Sequence, residues 1–421
     1  MEEKDYIEEI SKCVRCGSCK AYCPTYDEGL TEAMGARGRL TLLRGLLTGQ
    51  LKPSPVLNER IFSCILCGAC EKLCPPEVGI TEAIYHGRKL LRPLDRRIKY
   101  LGHLMRFSVR RPMLSFRIAK TLQHLGVSPQ KILNVLGTPH RRARGEKNAA
   151  STQRGLLPFT LTIPDSPLRD HLQVYKPERK IGRVALFTGC STNFLYPQLG
   201  ISLINVLLRF GYEVVLPAGE VCCGAPFRSL GLEDDAVELA KKNYGIFSRL
   251  NAEAILSLCP TCILSIKTHY PKLIGKGLEK AMDVSMFLIN KLGSREVSPL
   301  RLISSATYHD PCHLNYSLGI KKEPRELIQR AGVKLIEAEG EGCCGFGGVF
   351  TLQNPDLSRD LRNKRVDAYA GTGAEAVVTA CPGCMMQLGA GIKDRPVYHV
   401  IELVEEAICG SGEGITPPTP S

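Results

Sequence analysis

No G-x-G-x-x-G dinucleotide loop is read after a strand-like segment in this sequence, nor a phosphate-binding loop, a C-x-x-C-H haem attachment or a Ser/His/Asp arrangement. The chain therefore offers no evident seat for a flavin or a nicotinamide. It has no apolar run near the ~18 residues that cross a bilayer, so any membrane association is peripheral. The first residues, MEEKDYIEEI, are acidic and amphipathic and lack the basic and apolar regions of a secretory signal. The expected compartment is the reducing cytoplasm, where disulfides do not persist. Aromatic residues are few, at 6% with no tryptophan, and no nucleic-acid module with interleaved aromatics is recognisable, so no nucleic-acid partner is expected.

What is abundant is cysteine. The chain has 421 residues, 44% of them hydrophobic, which is enough for two or three domains with their own cores. Nineteen cysteines in a chain expected to stay reduced point to metal ligation rather than a disulfide framework. The net charge of +13 is local: residues 88 to 147 hold 16 Lys or Arg against Asp95 and Glu146, and the remainder is close to neutral. Within that stretch Ile98, Leu101 and Met105, then Leu114, Ile118, Leu122 and Leu125, recur every three or four residues and predict short amphipathic helices. Such a segment suits an anionic membrane surface, an acidic partner subunit, or a solvated face packed on its own domain.

The organisation follows from two repeats. Residues 1–90 hold eight cysteines in two groups, separated by a helical stretch from Arg39 to Leu47 that ends at Thr48-Gly49. Residues 91–178 are the basic helical segment followed by an irregular linker with Pro158, Pro164, Pro167 and Pro177. From Arg179 the chain duplicates: RVALFTGC (183–190) parallels SATYHDPC (305–312), and AEAILSLCPTC (252–262) parallels AEAVVTACPGC (374–384). The two copies span 179–300 and 301–409, and GSGEGITPPTPS from Gly410 to 421 reads as a disordered tail. Each copy alternates β-rich and helix-period segments, with three strands and cysteines at their carboxyl ends, where open α/β sheets place ligands. The expected fold class is therefore α+β to α/β: a helical N-terminal domain followed by two tandem, duplicated α/β domains.

The N-terminal groups are CVRCGSCKAYCP and CILCGACEKLCP, each C-x2-C-x2-C-x3-C-P, offset by 51 residues. Three thiolates two residues apart wrap one cubane, while the fourth, displaced by an extra residue and followed by proline, reaches the neighbouring cluster. This assigns Cys13, Cys16, Cys19 and Cys74 to one 4Fe-4S cluster and Cys64, Cys67, Cys70 and Cys23 to the other. Gly17 and Gly68 let the backbone approach the cluster. Zinc is the alternative, but it does not call for the third closely spaced cysteine.

Each half of the duplication carries five cysteines: Cys190, Cys222, Cys223, Cys259 and Cys262, then Cys312, Cys343, Cys344, Cys381 and Cys384, offset by 121 or 122 residues. Five thiols exceed the needs of a tetrahedral zinc or a simple cubane. Two adjacent thiols face one centre only if the backbone bends or the centre is extended, and the glycine after each pair permits the bend.

With CPTY (23–26), GARGRL (35–40), YHDPCHL (308–314) and the two CCG motifs, the whole chain resembles the iron–sulfur subunit of bacterial glycolate oxidase. It is similar too to lactate-oxidising and heterodisulfide reductase subunits that fuse a two-cluster ferredoxin to two CCG domains. The resemblance implies noncubane 4Fe-4S clusters in up to two CCG sites, the CCG pairs bridging irons, with zinc or a vestigial site as the alternative in one half. It implies FAD on a separate 2-hydroxy-acid dehydrogenase subunit and electrons passed to a quinone or another acceptor. An iron–sulfur centre takes electrons singly, whereas oxidising a 2-hydroxy acid releases two, so such a chain acts beside a flavin. Two other readings stand next to it: a disulfide reductase working at a CCG cluster, and a zinc-bound scaffold. Among the remaining residues, His309, Asp310 and His313 flank Cys312 and suggest tuning or proton handling, against a plain core role. Arg37 and Arg39 are expected on a helix face near a partner, and Cys409 is expected to be an ordinary thiol.

Overall fold

The structure is a computed structural model that describes residues 3–126, 162–171, 173–292 and 303–410. The N-terminal domain is helical, and its core is built from apolar residues at helical spacing. Leu40 and Leu43 of helix Ala36–Leu47 face Ile80, Ala83 and Ile84 of helix Ile80–Leu91, with Leu57 and Ile61 of helix Pro55–Phe62 between them. Each cysteine run turns back on itself twice through left-handed residues: Arg15 (φ 59°) and Gly17 (φ 90°) in the first, Leu66 (φ 61°) and Gly68 (φ 81°) in the second. Two non-glycine residues at positive φ, in the same place of both runs, mark backbone bent for a function.

The duplicated region forms two sheets. The first contains β1 (Val174–Tyr175), β2 (Gly182–Leu186), β3 (Tyr212–Val215), β4 (Ala254–Ser257) and β5 (Ala281–Asp283) in the order β1-β3-β2-β4-β5. The second contains β6 (Ser305–His309), β7 (Lys334–Leu335), β8 (Ala376–Thr379) and β9 (Val397–His399) in the order β7-β6-β8-β9. All pairings are parallel except β1 with β3. The central strands β4 and β8 are buried throughout, as expected of parallel strands covered by helices on both faces.

Two expectations change here. Each half has four parallel strands, not three: β5 and β9 are three residues long, too short to show a sequence period. Strand β1 joins the first sheet from upstream of Arg179, so that domain begins within the stretch read as linker. Helices Pro197–Arg209 and Val400–Cys409 pack together, as do Val284–Leu292 and Lys322–Arg330, and a single apolar core runs through both domains. Asn205 Nδ2 donates to Glu405 across the first of these contacts at 2.7 Å.

The basic segment forms helices Arg96–Arg110 and Pro112–His124, as the periodicity predicts. Arg88 does not belong to a surface patch. It is 1% exposed and donates to the carbonyls of Phe62 and Cys64 in the ferredoxin domain and of Ser229 in the first CCG domain. Residues 127–161 of the basic segment and linker, and 411–421 of the tail, lie outside the described residues. Among the described residues no helix is long and apolar enough to cross a membrane.

Candidate metal centres

The structure gathers eighteen of the nineteen cysteines into four groups. Cys13, Cys16, Cys19 and Cys74 line one cavity together with Gly17 and Arg37. Cys23, Cys64, Cys67 and Cys70 line a second one with Arg39. The fourth cysteine of each run thus faces the other run's cavity. Burial pushes the Cys67 and Cys70 thiols well above the ordinary range. Thiols so placed become ligands only when a bound cation supplies the charge that water would have supplied.

The two arginines separate. Arg37 is partly exposed, pairs with Glu32 at 2.8 Å and donates to the Arg15 carbonyl at 2.9 Å, which holds the left-handed turn of the first run. Arg39 is 1% exposed and lies inside, not on a partner-facing surface. Its guanidinium donates to Arg60 O (2.8 Å), Thr25 Oγ1 (3.1 Å) and Ser63 Oγ (3.0 Å), bracing the wall behind the second cavity.

In each CCG half the five thiols form a contact chain of the same order: Cys190, Cys222, Cys223, Cys262, Cys259 in the first, and Cys312, Cys343, Cys344, Cys384, Cys381 in the second. Cys344 Sγ and Cys384 Sγ are 3.3 Å apart. The central thiol of each chain is shifted down: contacts with Cys343 and Cys384 pull Cys344 down to about 6, and contacts with Cys222 and Cys262 hold Cys223 well below its ordinary value. One end of each chain is lowered too, Cys190 by its contact with Cys222 and Cys381 by its contact with Cys384. All ten lie near the carboxyl ends of the parallel strands, and Cys259 and Cys381 each cap a helix that starts with proline. Cys409 stands apart, half-buried.

The adjacent pairs converge because the chain bends at Gly224 (φ 87°) and Gly345 (φ 82°). A Cβ on Gly345 would come within 2.3 Å of the Ser358 carbonyl oxygen, whereas on Gly224 the nearest atoms, on Ala236, would be 3.3 Å away. Both positions disfavour L-residues, by about 1–2 kcal/mol, but only the second half adds a backbone clash. Gly345→Ala is therefore expected to lower the urea midpoint and the metal content more than Gly224→Ala, and equal losses would contradict this.

Several supporting residues lie outside the cysteine motifs. Asn243, fully buried, accepts from Val221 N and donates to the carbonyls of Val221 and Cys222. Its counterpart 122 residues on, Arg365, donates to the carbonyls of Gly340 and Glu339 before the second pair. The buried Glu220 carboxylate accepts from Thr188 Oγ1 (2.9 Å) and Gly189 N (2.7 Å), fastening the Cys190 loop to the first pair. Repetition at the 122-residue offset was the signal that could have found the Asn243 and Arg365 positions.

The residues around Cys312 divide by role. Asp310 forms a two-pronged pair with Arg325 (2.8 and 2.6 Å). His313 ties three parts together, accepting from Thr261 Oγ1 at Nδ1 (2.8 Å) and donating from Nε2 to Leu66 O (3.0 Å). Burial pushes His309 down to about 3, so it is neutral at ordinary pH. One letter match to a dinucleotide loop does occur, Gly340-Glu-Gly342-Cys-Cys-Gly345, beyond β7. No helix opens there, and its glycines turn the chain around thiols.

The ferredoxin and second CCG sites adjoin. Cys67 and Cys343 share a buried cluster with Ile65, Phe350 and Leu361, and Cys312 packs against it. A cleft between Tyr22, Tyr316, Glu341, Lys364 and Arg365 leads from the surface to Cys67 and Cys343.

Fold and sites together define an iron–sulfur protein in which a ferredoxin domain is fused to two cysteine-rich domains. Residues 9–78 match the 4Fe-4S dicluster domain, and residues 184–267 and 306–389 match the cysteine-rich domain family, CCG. The chain is 30% identical to the glycolate oxidase iron-sulfur subunit of Escherichia coli over 95% of its length and 94% of that protein. It belongs to the glycolate oxidase iron–sulfur subunit family. It is also 26% identical to a subunit of the dihydromethanophenazine:CoB–CoM heterodisulfide reductase of Methanosarcina barkeri, covering 96% of this chain and 95% of that one. A crystal structure of a hypothetical protein from Helicobacter pylori shares the fold, with a TM-score of 0.55 at 13% identity, over 96% of this chain and 72% of that one.

Proposed function

We propose that this chain is the electron-transfer subunit of a glycolate or D-lactate dehydrogenase complex. It takes electrons singly from an FAD-bearing 2-hydroxy-acid dehydrogenase subunit and hands them to a quinone or another acceptor. Two cubane 4Fe-4S clusters in the ferredoxin cavities and up to two noncubane clusters in the CCG sites would supply the one-electron carriers, zinc being the alternative in one CCG site. The observation that carries this reading is the shared buried cluster of Cys67 and Cys343, which sets a ferredoxin site and a CCG site against one another. The residues around them brace and bury the thiols, as a relay between neighbouring centres requires.

The complex would sit in the cytoplasm, peripheral to the inner face of the cell membrane. In support, helices Arg96–Arg110 and Pro112–His124 leave Tyr100, Leu104, Phe107, Leu114 and Ile118 exposed among arginines, with Leu125 exposed just past the second helix. That mixture suits an anionic lipid surface or the partner subunit.

Anaerobic affinity purification of the full chain from its native host tests the reading. The expected result is a co-purifying FAD protein whose substrate, glycolate or lactate, bleaches the iron–sulfur absorption. Clusters that respond only to thiols and disulfides, with no flavoprotein present, would favour the second reading, a heterodisulfide reductase-like catalytic subunit. That alternative draws on the cleft that leads to Cys343. It expects the purified chain to reduce a disulfide with an artificial donor and no flavoprotein.

A further inference from the structure

One ring pair beside the thiols differs between the two CCG halves. In the first, Phe187 at the end of β2 packs on Phe247, with ring centroids 5.3 Å apart. In the second, 122 residues on in both cases, the pair is His309 and Tyr369, with centroids 6.0 Å apart. An apolar ring contact has become a polar one at the same place in the fold. His309 Nδ1 lies 2.5 Å from Tyr369 Oη, and the Arg365 guanidinium covers the Tyr369 ring at 5.0 Å.

His309 is 1% exposed, and among the described residues its Nε2 has no hydrogen-bond partner. An orphaned buried polar atom costs about 1–3 kcal/mol unless something else engages it. A His309 ring nitrogen, Cys344 Sγ and Cys384 Sγ all lie within 4.8 Å of one another. Nδ1 is engaged by Tyr369, so Nε2 is the ring nitrogen left free to bind. A ligating histidine typically donates its other ring N–H to a neighbouring acceptor, which fixes the tautomer and presents the lone pair to the metal. Tyr369 Oη is placed to be that acceptor.

We propose that His309 Nε2 is a metal ligand of the second CCG centre, alongside Cys344 and Cys384, while the first centre, with Phe187 in its place, is held by thiolates alone. The assignment rests on the reading that the CCG sites hold metal. Iron and zinc both accept mixed sulfur and imidazole donors, so the donor set stands for either.

The test uses the full chain prepared anaerobically, as wild type and as His309→Phe, the residue the first half carries. Metal content is measured, together with histidine nitrogen coordination, by pulsed EPR with 15N-histidine labelling for iron and by X-ray absorption for zinc. The expected result is a directly bound histidine nitrogen in the wild type that disappears in His309→Phe, with second-site metal retention falling severalfold. Retention of the about eight irons of the two cubanes in the variant shows that the chain has folded. Tyr369→Phe, which keeps the ring, is expected to retain the nitrogen signal while weakening metal retention about 10-fold or more. Metal above the about eight cubane irons but no bound nitrogen, or a nitrogen signal unchanged in His309→Phe, overturns the assignment of His309 alone. A wild type with no metal beyond those irons overturns both this assignment and the occupied-site reading on which it rests.

Discussion

Cys74→Ala is expected to remove the cluster associated with the first cysteine run, not the one associated with its own. The fourth cysteine of each run sits beyond an extra residue and before a proline, and Cys74 lines the cavity of Cys13, Cys16 and Cys19. Cys23 correspondingly lines the cavity of Cys64, Cys67 and Cys70. A double-mutant comparison separates this from the alternative in which each run serves itself. Cys13→Ala and Cys74→Ala each cost about four irons, and if both ligate one cluster, the double variant still costs only about four. If each run served its own cluster, the double variant would lose about eight irons. Iron per chain, with EPR of the reduced protein to count the remaining cubane, decides between these results. Non-additivity of this size is the signature of residues acting on one centre.

The second large effect concerns how the ferredoxin domain is held on the first CCG domain. Glu82, on helix Ile80–Leu91, meets Arg228, which is 4% exposed, and Lys272 at 3.0 Å. Arg228 lies over the Tyr85 ring at 4.1 Å, so the cation is enclosed from both sides. Glu82→Gln leaves that cation without its counter-charge and is expected to destabilise the docked state by about 3–5 kcal/mol, read as a lower urea midpoint. A change within about 0.5 kcal/mol, typical of a surface site, would mean the pair is not closed to solvent.

The same pair predicts a pH dependence with a definite sign. Burial alone would push the Glu82 carboxyl up, but Arg228 and Lys272 outweigh it and hold it below the ordinary carboxylate value. A depressed folded-state value means that the unfolded chain binds the proton first. The stabilisation is complete above the unfolded value of about 4.3 and is lost as pH falls through the lower folded value. The difference in stability between wild type and Glu82→Gln should therefore shrink on acidification below pH ~4.

Much of this protein is legible from spacing. Offsets of 51 residues between the cysteine runs and 121–122 between the CCG halves identified every thiol that the structure gathers into a group. The helices at 36–47, 96–110 and 112–124 followed from apolar periodicity. Charge was the poorer guide. Arg88 counted towards a basic surface and Arg39 towards a partner-facing helix, yet both are interior braces, Arg88 on backbone carbonyls and Arg39 on one carbonyl and two hydroxyls from distant segments, which no residue pattern announces. Strands β5 and β9 escaped because three residues carry no readable alternation.

The sequence by itself determined which thiols group together, the duplication and the ferredoxin character, because the cysteine spacings repeat at fixed offsets of covalent chain. Only the tertiary structure decided which centres adjoin, since Cys67 meets Cys343, Glu82 meets Arg228 and His313 meets Leu66 across 146 to 276 residues of chain. It also decided that His309 faces thiols while its counterpart Phe187 packs on another ring. Such contacts depend on how whole helices and sheets pack, and packing is a property of surfaces assembled from distant segments, not of any one stretch of residues.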